Sequence, residues 1–427
     1  MARLMLLIPS SSYRTADFLA AAGPVGVDLV VATDSAQALA AGAEGRIIRV
    51  DFRDIERGTV QIVDHARAHP LDAVLAVDGE GAVLAAAAGR ALGLKHNPPD
   101  AVQAAQNKYL FRQALAEAGL PGPAFRVLTV DQDAAAAAAR QRYPCILKPL
   151  SLAASRGVIR ADDPGDFVAA FRRIAAILAR GDATQPPDAA GRILIEDFLP
   201  GTEIAVEGLL NGGRLTVLAI FDKPEQSDGP YFEETIYVAP SALPEATQAR
   251  AIAMVADAVA ALGLREGPIH AELRIDETGA RMIELDARSL GGHCARALRF
   301  AGGARLEELI LRHALGRPIA SLDRESDAVG LMMIPIPRRG RLRAVRGRAA
   351  AAAVSGIRGV SISIPTGRIV EPPPEGGRYL GFIFSHGETR SGALAALRCA
   401  HAALDFDIVA VDGVERDADV AKDVGVG

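Results

Sequence analysis

The stretch of residues 270–288, HAELRIDETGARMIELDAR, decides the fold because two alternating segments flank a short loop. Side chains alternate between the two faces of a strand, so each segment is predicted to be a strand with unlike faces. In the first segment, one face carries His270, Glu272 and Arg274, and the other carries Ile269, Ala271, Leu273 and Ile275. In the second segment, one face carries Met282, Glu284 and Asp286, and the other carries Ile283 and Leu285. The loop Glu277-Thr278-Gly279 suits a hairpin with its glycine in the left-handed conformation.

Pairing across this loop would bring two carboxylates together. If Asp276 pairs with Ala280, Glu272 lies opposite Glu284 and His270 lies opposite Asp286. Like charges directly opposite each other destabilise a sheet, so a bound divalent cation with oxygen ligands would explain the pair. The alternative is a solvated face whose acids are neutralised by Arg274 and Arg281. The hairpin alone leaves both interpretations open.

The length and composition of the chain set its broad class. A chain of 427 residues exceeds one ordinary core, so two or three domains are expected. Half of the residues are hydrophobic and the net charge is −5, so no nucleic-acid or anionic-membrane partner is expected. The start, MARLMLLIPSSS, is predicted to be a first strand rather than a signal peptide, and no apolar run reaches the length of a membrane span. We therefore expect a cytoplasmic protein.

The cysteines agree with a reducing compartment. Cys145, Cys294 and Cys399 are odd in number and widely separated, which argues against a disulfide framework and against a thiolate metal site. We expect all three to be packing residues.

The first 96 residues alternate predicted strands and helices, which is typical of an open parallel α/β sheet. The predicted strands cover residues 4–8, 27–32, 46–50 and 73–77, and the predicted helices cover residues 17–22, 60–68 and 82–92. No G-x-G-x-x-G follows the first strand, so a dinucleotide site is not expected there. Residues 10–14 lie where ligands gather in such sheets, and they are either a substrate contact or an ordinary loop.

A lysine followed by a loop of small residues indicates phosphate binding. Residues 145–149 are predicted to be a strand that carries Lys148, and the loop after it reads LSLAASRGV. Such a loop can fold backbone N–H groups over phosphates while the ammonium contacts them as a point charge. Gly157 is its single glycine, so the signal is weaker than a P-loop. Lys108 begins a predicted helix over 108–118, where by itself it reads as a surface lysine.

From about Ser321 the sequence changes to short predicted strands separated by prolines and glycines, followed by a helix over 391–404. This composition predicts a small α+β domain. We expect an N-terminal α/β domain over 1–96, a central domain over 97–320 with a lid subdomain at about 122–200, and a C-terminal domain over 321–427.

In order along the chain, Lys108, Lys148 with its loop, EDFLPGTE at 196–203, Glu272 and the stretch from Glu284 to Arg288 resemble the ATP-grasp superfamily. This resemblance implies an ATP-grasp fold, in which ATP lies between two α+β subdomains. The sequence ARSLGG after the acids, together with the domain order, is similar to the L-amino-acid ligases. The similarity implies a ligase that joins small-molecule carboxylate and amine substrates into an amide or dipeptide. ATP would activate the carboxylate as an acyl phosphate, with Mg²⁺, or Mn²⁺ as the alternative ion, and ADP and phosphate would be released.

The resemblance assigns roles residue by residue. The lysines that contact phosphates are Lys108 and Lys148, and the loop that closes over the phosphates contains Ser151, Ser155, Arg156 and Gly157. The hinge that meets adenine through its backbone contains Glu196, Asp197, Phe198 and Leu199, and Glu203 would accept the ribose hydroxyls. The metal ligands are Glu272 and Glu284, with Asp286 where many members have asparagine. The catalytic groups are Arg288, which faces the reacting carboxyl group, and Lys148.

Six further residues are candidate substrate contacts: His270, Gly291, Gly292, His293, Lys223 and Glu234. For His270 a structural hydrogen bond to Asp286 is favoured over a role as base, because neighbouring carboxylates would keep the imidazole charged. His293 is either a substrate contact or a buried, satisfied histidine. Lys223, Tyr231 and Glu234 belong to a long loop, residues 222–236, which is either a lid that excludes water or a disordered surface loop.

Two rival functions remain at this stage. One is a carboxylase-type ATP-grasp enzyme that activates bicarbonate, and the other is a non-catalytic ATP-binding regulatory subunit. A homodimer is the expected assembly.

Overall fold

The computed structural model describes residues 1–10, 12, 14–34, 46–180, 189–225, 228–291 and 293–411. The chain divides into two compact units. Unit 1 comprises Met1–Gly122, Glu203–Ile220 and Ala242–Glu325. Unit 2 comprises Pro123–Thr202, Phe221–Ser241 and Ser326–Gly427.

The regular elements of the described residues are as follows in chain order. The helices are α1 (Thr15–Val25), α2 (Ile55–Ala68), α3 (Ala82–Leu92), α4 (Pro99–Gln106), α5 (Lys108–Glu117), α6 (Ala134–Ala138), α7 (Pro164–Ala179), α8 (Glu245–Leu262), α9 (Leu306–Ala314), α10 (Arg348–Ala352) and α11 (Arg390–Ala402). The strands are β1 (Arg3–Leu7), β2 (Asp28–Thr33), β3 (Ile47–Arg49), β4 (Ala73–Ala76), β5 (Phe125–Thr129), β6 (Cys145–Pro149), β7 (Ile159–Ala161), β8 (Arg192–Asp197), β9 (Thr202–Asn211), β10 (Arg214–Asp222), β11 (Ile236–Ala239), β12 (Gly267–Asp276), β13 (Gly279–Asp286), β14 (Ala328–Ile334), β15 (Gly340–Arg346), β16 (Ile357–Ile362), β17 (Ile369–Val370), β18 (Gly381–Gly387) and β19 (Asp405–Val409).

Unit 1 begins with a parallel sheet in the strand order β3-β2-β1-β4. The first strand is confirmed, because Leu4, Met5, Leu6 and Leu7 are fully buried. Met5 and Leu7 pack with residues of the helices that follow, including Ile62 of α2 and Leu84 of α3. The predicted parallel α/β arrangement is therefore present.

The second part of unit 1 is an antiparallel layer that carries the acidic hairpin. Its strands hydrogen-bond in the order β13-β12-β9-β10. The apolar face of β12, which was predicted from alternation, packs in one core with α4, α5 and α8; the core includes Ile269, Ala271, Leu273, Ile275, Val102, Phe111 and Val255. Helix α5 begins at Lys108 because the side chain of Asn107 accepts hydrogen bonds from the first free N–H groups of the helix.

The hairpin has the predicted carboxylate pair but a different loop. Glu272 lies opposite Glu284, and His270 lies opposite Asp286, as predicted. The loop has two residues rather than three, because Asp276 pairs with Gly279. The Asp276 carboxylate accepts hydrogen bonds from the N–H and hydroxyl of Thr278, at 2.8 and 2.6 Å, which closes the turn locally.

A bulge reconciles the shorter loop with the predicted pairs. The register shifts between Glu272 and Leu273, so Ile283 is the extra residue on β13. The predicted faces of β13 are therefore wrong near the bulge. Met282 points into the apolar core together with Leu285 instead of sharing a face with Glu284.

Unit 2 contains an antiparallel sheet in the order β5-β8-β6-β7. Helices α6 and α7 contribute to its core, which includes Phe167, Phe171, Ile174 and Ile195. The remaining strands of unit 2 form the runs β11-β14-β18-β16 and β17-β15-β19, with α10 and α11 packed in their core. The elements after Ser326 are mixed strands and helices of the predicted α+β kind, and β11, from residues 236–239, pairs with them.

Two of the three cysteines are packing residues. Cys145 and Cys294 are buried, and burial raises the pKa of the Cys145 thiol to about 12. Cys399 on α11 is exposed, so the prediction that all three are packing residues is wrong for it. Among the described helices, none has the length and apolar character needed to cross a membrane.

Candidate active site

Acidic side chains of the hairpin face basic partners in unit 1. Glu284 Oε2 lies 3.8 Å from Nζ of Lys108, and Asp286 Oδ2 lies 2.6 Å from Nη2 of Arg288. Burial raises the pKa of Glu284; Lys108 opposes this effect, while Asp286 and Glu272 add to it. Crowded carboxylates that resist ionisation in this way are relieved by a cation, and carboxylate oxygens are the ligands that Mg²⁺ prefers. Glu272, Glu284 and Asp286 therefore remain the candidate ligands of a divalent cation.

Arg274 and Arg281, which the alternative interpretation pairs with the hairpin glutamates, contact other acids. Arg274 Nε lies 3.2 Å from Glu203 Oε2, and Arg281 Nη1 lies 2.9 Å from Asp276 Oδ2. Glu272 is 6% exposed and Arg274 is 3% exposed. This face of β12 is thus buried rather than solvated, which counts against that interpretation.

His270 is held between two carboxylates. Its Nδ1 lies 3.2 Å from Glu207 Oε2, and its Nε2 lies 3.4 Å from Glu272 Oε1. Burial lowers the pKa of His270, but the two carboxylates outweigh burial and raise that pKa to about 10. A charged imidazole is a poor base, so the contacts favour the structural role. The partners are Glu207 and Glu272 instead of the predicted Asp286.

Sequence reasoning missed Glu207. This side chain is fully buried on β9, where burial raises its pKa and the hydrogen bond with His270 opposes that shift. Its two carboxylate oxygens also lie 3.2 and 3.1 Å from the backbone N–H of Leu290, so Glu207 fixes the turn that follows Arg288. The available signal was a lone carboxylate inside the apolar run IAVEGLL, four residues after Glu203 and thus on the same face of the strand.

Arg288 lies close to two glycines. A Cβ added at Gly79 would lie 3.7 Å from Arg288 Nε, and one added at Gly291 would lie 3.6 Å from Nη1. Burial lowers the pKa of Arg288, but the charges of Asp286 and Glu284 outweigh it, so the guanidinium stays charged. Gly292, another predicted substrate contact, lies outside the described residues.

The predicted substrate contact His293 belongs to an ion-pair cluster with α1. Its Nδ1 lies 3.5 Å from Asp17 Oδ2, and Arg296 Nε donates to both oxygens of Asp17 at 3.0 Å. Burial would raise the pKa of Asp17, but these hydrogen bonds outweigh it and lower the pKa. The cluster favours a structural role for His293.

Within residues 10–14, the described side chains make structural contacts. Ser10 Oγ donates to Asp34 Oδ2 at 3.0 Å. Arg14 is buried, donates to the carbonyl oxygen of Val77 at 3.0 Å and lies 3.5 Å from Glu307. Residues 11 and 13 lie outside the described residues.

Unit 2 carries the second predicted lysine in a buried ion pair. Lys148 Nζ contacts Glu196 Oε1, and both side chains are buried. Ile146 lies opposite Glu196 across β6 and β8, so Lys148 is the diagonal neighbour of Glu196 on the same face. The pair therefore lies on one face of this sheet.

The hinge residues that follow are partly engaged in the sheet. The N–H of Asp197 donates to the carbonyl oxygen of Ala124 at 3.0 Å, and the N–H of Phe198 donates to that of Pro144 at 3.1 Å. These two N–H groups are thus already used in the sheet. Leu199, the last predicted hinge residue, lies in the loop that follows β8.

The loop after Lys148, residues 151–157, is the small-residue loop, and it has an unusual backbone. Ala154 and Ser155 have φ of +54° and +53°, a left-handed conformation that costs non-glycine residues on the order of 1–2 kcal/mol each. Gly157 has φ +72°, and a Cβ there would lie 2.7 Å from Cγ of Pro149. Ser151 Oγ is buried without a hydrogen-bond partner among the described residues. Strained loops of this kind cluster at ligand sites.

The described residues of the 222–236 loop are docked within unit 2. Tyr231 forms an isolated β-bridge with Ile159 of β7, and the N–H of Arg160 donates to the carbonyl oxygen of Pro230 at 2.9 Å. Lys223 Nζ lies 3.0 Å from Glu234 Oε1. These contacts count against a disordered surface loop.

Comparison with known families agrees with this geometry. Residues 141–297 match the family described as ATP-grasp domain. This central part of the chain is therefore similar to ATP-grasp domains. Residues 332–419 match the family described as L-amino acid ligase C-terminal domain 2, so the C-terminal part of the chain is similar to that domain of the L-amino acid ligases.

Individual relatives point the same way. The crystal structure of L-amino acid ligase from Bacillus licheniformis has a TM-score of 0.82 and 25% identity, covering 96% of this chain and 99% of that one. Alanine–anticapsin ligase from Bacillus subtilis strain 168 is 28% identical over 52% of this chain and 49% of its own length. Dapdiamide A synthase from Enterobacter agglomerans is 29% identical over 58% of this chain and 57% of its own length. The match thus spans about half the length of these two curated relatives.

Proposed function

We propose that this protein is an ATP-dependent carboxylate–amine ligase that forms an amide or dipeptide bond and releases ADP and phosphate. The observation that supports this most strongly is the likeness over 96% of the chain to the Bacillus licheniformis L-amino acid ligase. The name alanine–anticapsin ligase describes the same kind of joining for one relative.

The nucleotide would be bound by the residues that the resemblance assigns to it. Lys108 and Lys148 would contact phosphates, and the small-residue loop would close over them. The hinge residues 196–199 would meet adenine, and Glu203 would accept the ribose hydroxyls. Glu272, Glu284 and Asp286 would hold Mg²⁺. When bound, that ion supplies positive charge to the phosphate oxygens.

The first chemical step would activate the carboxylate. A carboxylate oxygen of the first substrate attacks the γ-phosphorus of ATP, a P–O bond forms, and the bond to the leaving ADP breaks. Every reacting oxygen is negative, so the step depends on cations that hold the groups in line. Lys108, Lys148 and Arg288 would provide that charge, and Arg288 remains ionised in this setting because Asp286 and Glu284 outweigh burial and raise its pKa.

The second step would form the amide. The amine nitrogen of the second substrate attacks the acyl carbon, the tetrahedral oxyanion collapses, phosphate leaves, and the nitrogen loses a proton. Arg288 would donate hydrogen bonds from its planar guanidinium to the oxyanion. Glu207 would support this role by holding the turn after Arg288 through the N–H of Leu290.

The test is product formation. The full chain is incubated with Mg²⁺, ATP and pooled amino acids, and ADP and phosphate release is measured while new amides are sought by mass spectrometry. Amide formation with one ADP per amide is the expected result. ADP release that requires bicarbonate but no amino acid would instead assign the carboxylase-type reaction, and binding of ATP without turnover would assign a regulatory subunit. Light scattering of the same sample tests the expected homodimer.

A further inference from the structure

Residues 371–377, EPPPEGG, contact the small-residue loop within unit 2. The N–H of Gly157 donates to the carbonyl oxygen of Pro374 at 2.8 Å. Arg156 Nε donates to the carbonyl oxygen of Glu375 at 3.1 Å. The loop is thus bound at two successive residues by two successive carbonyl groups of this segment.

The segment is itself a tight turn. The N–H of Gly376 donates to the carbonyl oxygen of Pro372 at 2.9 Å. A Cβ at Gly376 would lie 1.7 Å from the carbonyl oxygen of Glu371, so the turn requires glycine there. Its fold therefore fixes the directions of the two carbonyl groups that meet the loop.

One ion pair fastens this turn to helix α7. Arg173 Nε and Nη2 donate to the two carboxylate oxygens of Glu375 at 2.6 and 2.8 Å, a bidentate arrangement. Burial would raise the pKa of Glu375, but the hydrogen bonds from Arg173 outweigh it and lower the pKa, so the pair is ionic.

The same guanidinium reaches the 222–236 loop. Arg173 Nη1 donates to the hydroxyl of Tyr231, whose backbone bridges Ile159 at the start of β7. The small-residue loop leads into β7. Arg173 therefore connects residues 371–377, which contact the small-residue loop, with Tyr231, which contacts the strand after that loop.

We infer that Glu375, acting through Arg173, is a positioning residue for the small-residue loop: it holds residues 371–377 where their carbonyl groups fix Arg156 and Gly157. The loop needs such support because Ala154 and Ser155 occupy a left-handed conformation that their own chemistry disfavours. The inference rests on the proposal that this loop closes over the phosphates of ATP.

The test compares two substitutions in one segment. Glu375→Gln removes the carboxylate that pairs with Arg173. Glu371→Gln is the matched control, because Glu371 pairs with Arg180 just after α7, at 3.3 Å, and with Arg339 at 3.5 Å. Hydrogen exchange of a peptide covering residues 151–158 is measured on the nucleotide-free full chain, and ADP binding is measured by calorimetry.

In Glu375→Gln, the amide of Gly157 is expected to exchange faster than in wild type and in Glu371→Gln. ADP affinity is expected to fall about five-fold, because apparent affinity scales with the fraction of molecules whose loop is already ordered. Arg173→Lys keeps the charge but loses the bidentate geometry, so it should reproduce both effects. It is the second test if Glu375→Gln folds poorly.

Unchanged loop exchange in both Glu375→Gln and Arg173→Lys would overturn the inference. Loss of thermal stability with unchanged exchange and ADP affinity would also overturn it, because that pattern marks a purely structural ion pair. If wild type fails to bind ADP or ATP, the proposed function fails, while the exchange data on nucleotide-free protein still decide the role of Glu375.

Discussion

Replacing Arg288 by alanine tests the proposed chemistry most directly. The side chain is 18% exposed and lies 2.6 Å from Asp286, so its charge acts in a region largely shielded from water. Removing one preorganised donor to an oxyanion typically costs on the order of 3 kcal/mol in the barrier. At about 1.4 kcal/mol per factor of ten, turnover should fall roughly 10²-fold.

The assay separates binding from chemistry. ATP affinity of Arg288→Ala should stay within about two-fold of wild type by calorimetry, while amide formation and ADP release fall together, because the lost interaction belongs to the transition state. Arg281→Ala is the matched control: the same residue type, on the hairpin that precedes Arg288, 20% exposed and paired with Asp276 near the loop. If Arg288→Ala retained more than a fifth of wild-type turnover, or if Arg281→Ala lost as much, the assignment of Arg288 would be refuted.

Three further predictions address the charges around the site. Glu196→Leu leaves the ammonium of Lys148 buried without its carboxylate and should lower the free energy of unfolding in urea by about 3–5 kcal/mol. The double variant with Lys148→Met should recover most of this loss. Unchanged stability of Glu196→Leu alone would contradict the prediction. Asp17 has a pKa below its usual 3.8 because hydrogen bonds outweigh burial, so its ionised form stabilises the fold above about pH 4 and this contribution disappears as the pH falls further. The loss of unfolding free energy in Asp17→Asn should therefore become smaller in acid. A loss that stays constant from pH 7 to pH 3 would refute this linkage. Glu284→Gln should weaken Mn²⁺ binding in the presence of ATP about 10-fold or more by electron paramagnetic resonance, and equal affinity would remove Glu284 from the ligand set.

The hairpin shows how far alternation carries a sequence-based prediction. Alternation predicted the two strands, and an assumed pairing of Asp276 with Ala280 predicted that Glu272 lies opposite Glu284. That pair is present although Asp276 pairs with Gly279, because the bulge offsets the shorter loop. The bulge did not follow, because Met282 and Ile283 are both apolar and either can be placed toward the core from sequence alone. Packing of Met282 against its neighbours in the core decided the matter, and that contact is set by the tertiary fold.

The candidate site was predictable where residues recur in motifs and hidden where partners are distant in sequence. The positions of Lys108, Lys148 and the acids could be read in order along the chain. Glu207 meets Leu290 from 83 residues away, and Glu375 meets Arg173 from 202 residues away. The spacing of side chains within one segment holds no information about a partner that the fold brings from another.

The basic partners of the three hairpin acids bear on the order in which ligands arrive. Lys108, His270 and Arg288 lie against Glu284, Glu272 and Asp286, so a metal ion that entered alone at these acids would have to displace their existing ion pairs. A triphosphate that enters with the ion offers the displaced Lys108 an anion in exchange. If these acids hold the ion as proposed, the arrangement would favour uptake of ion and nucleotide as one preformed complex and would discourage binding of divalent cations alone between turnovers.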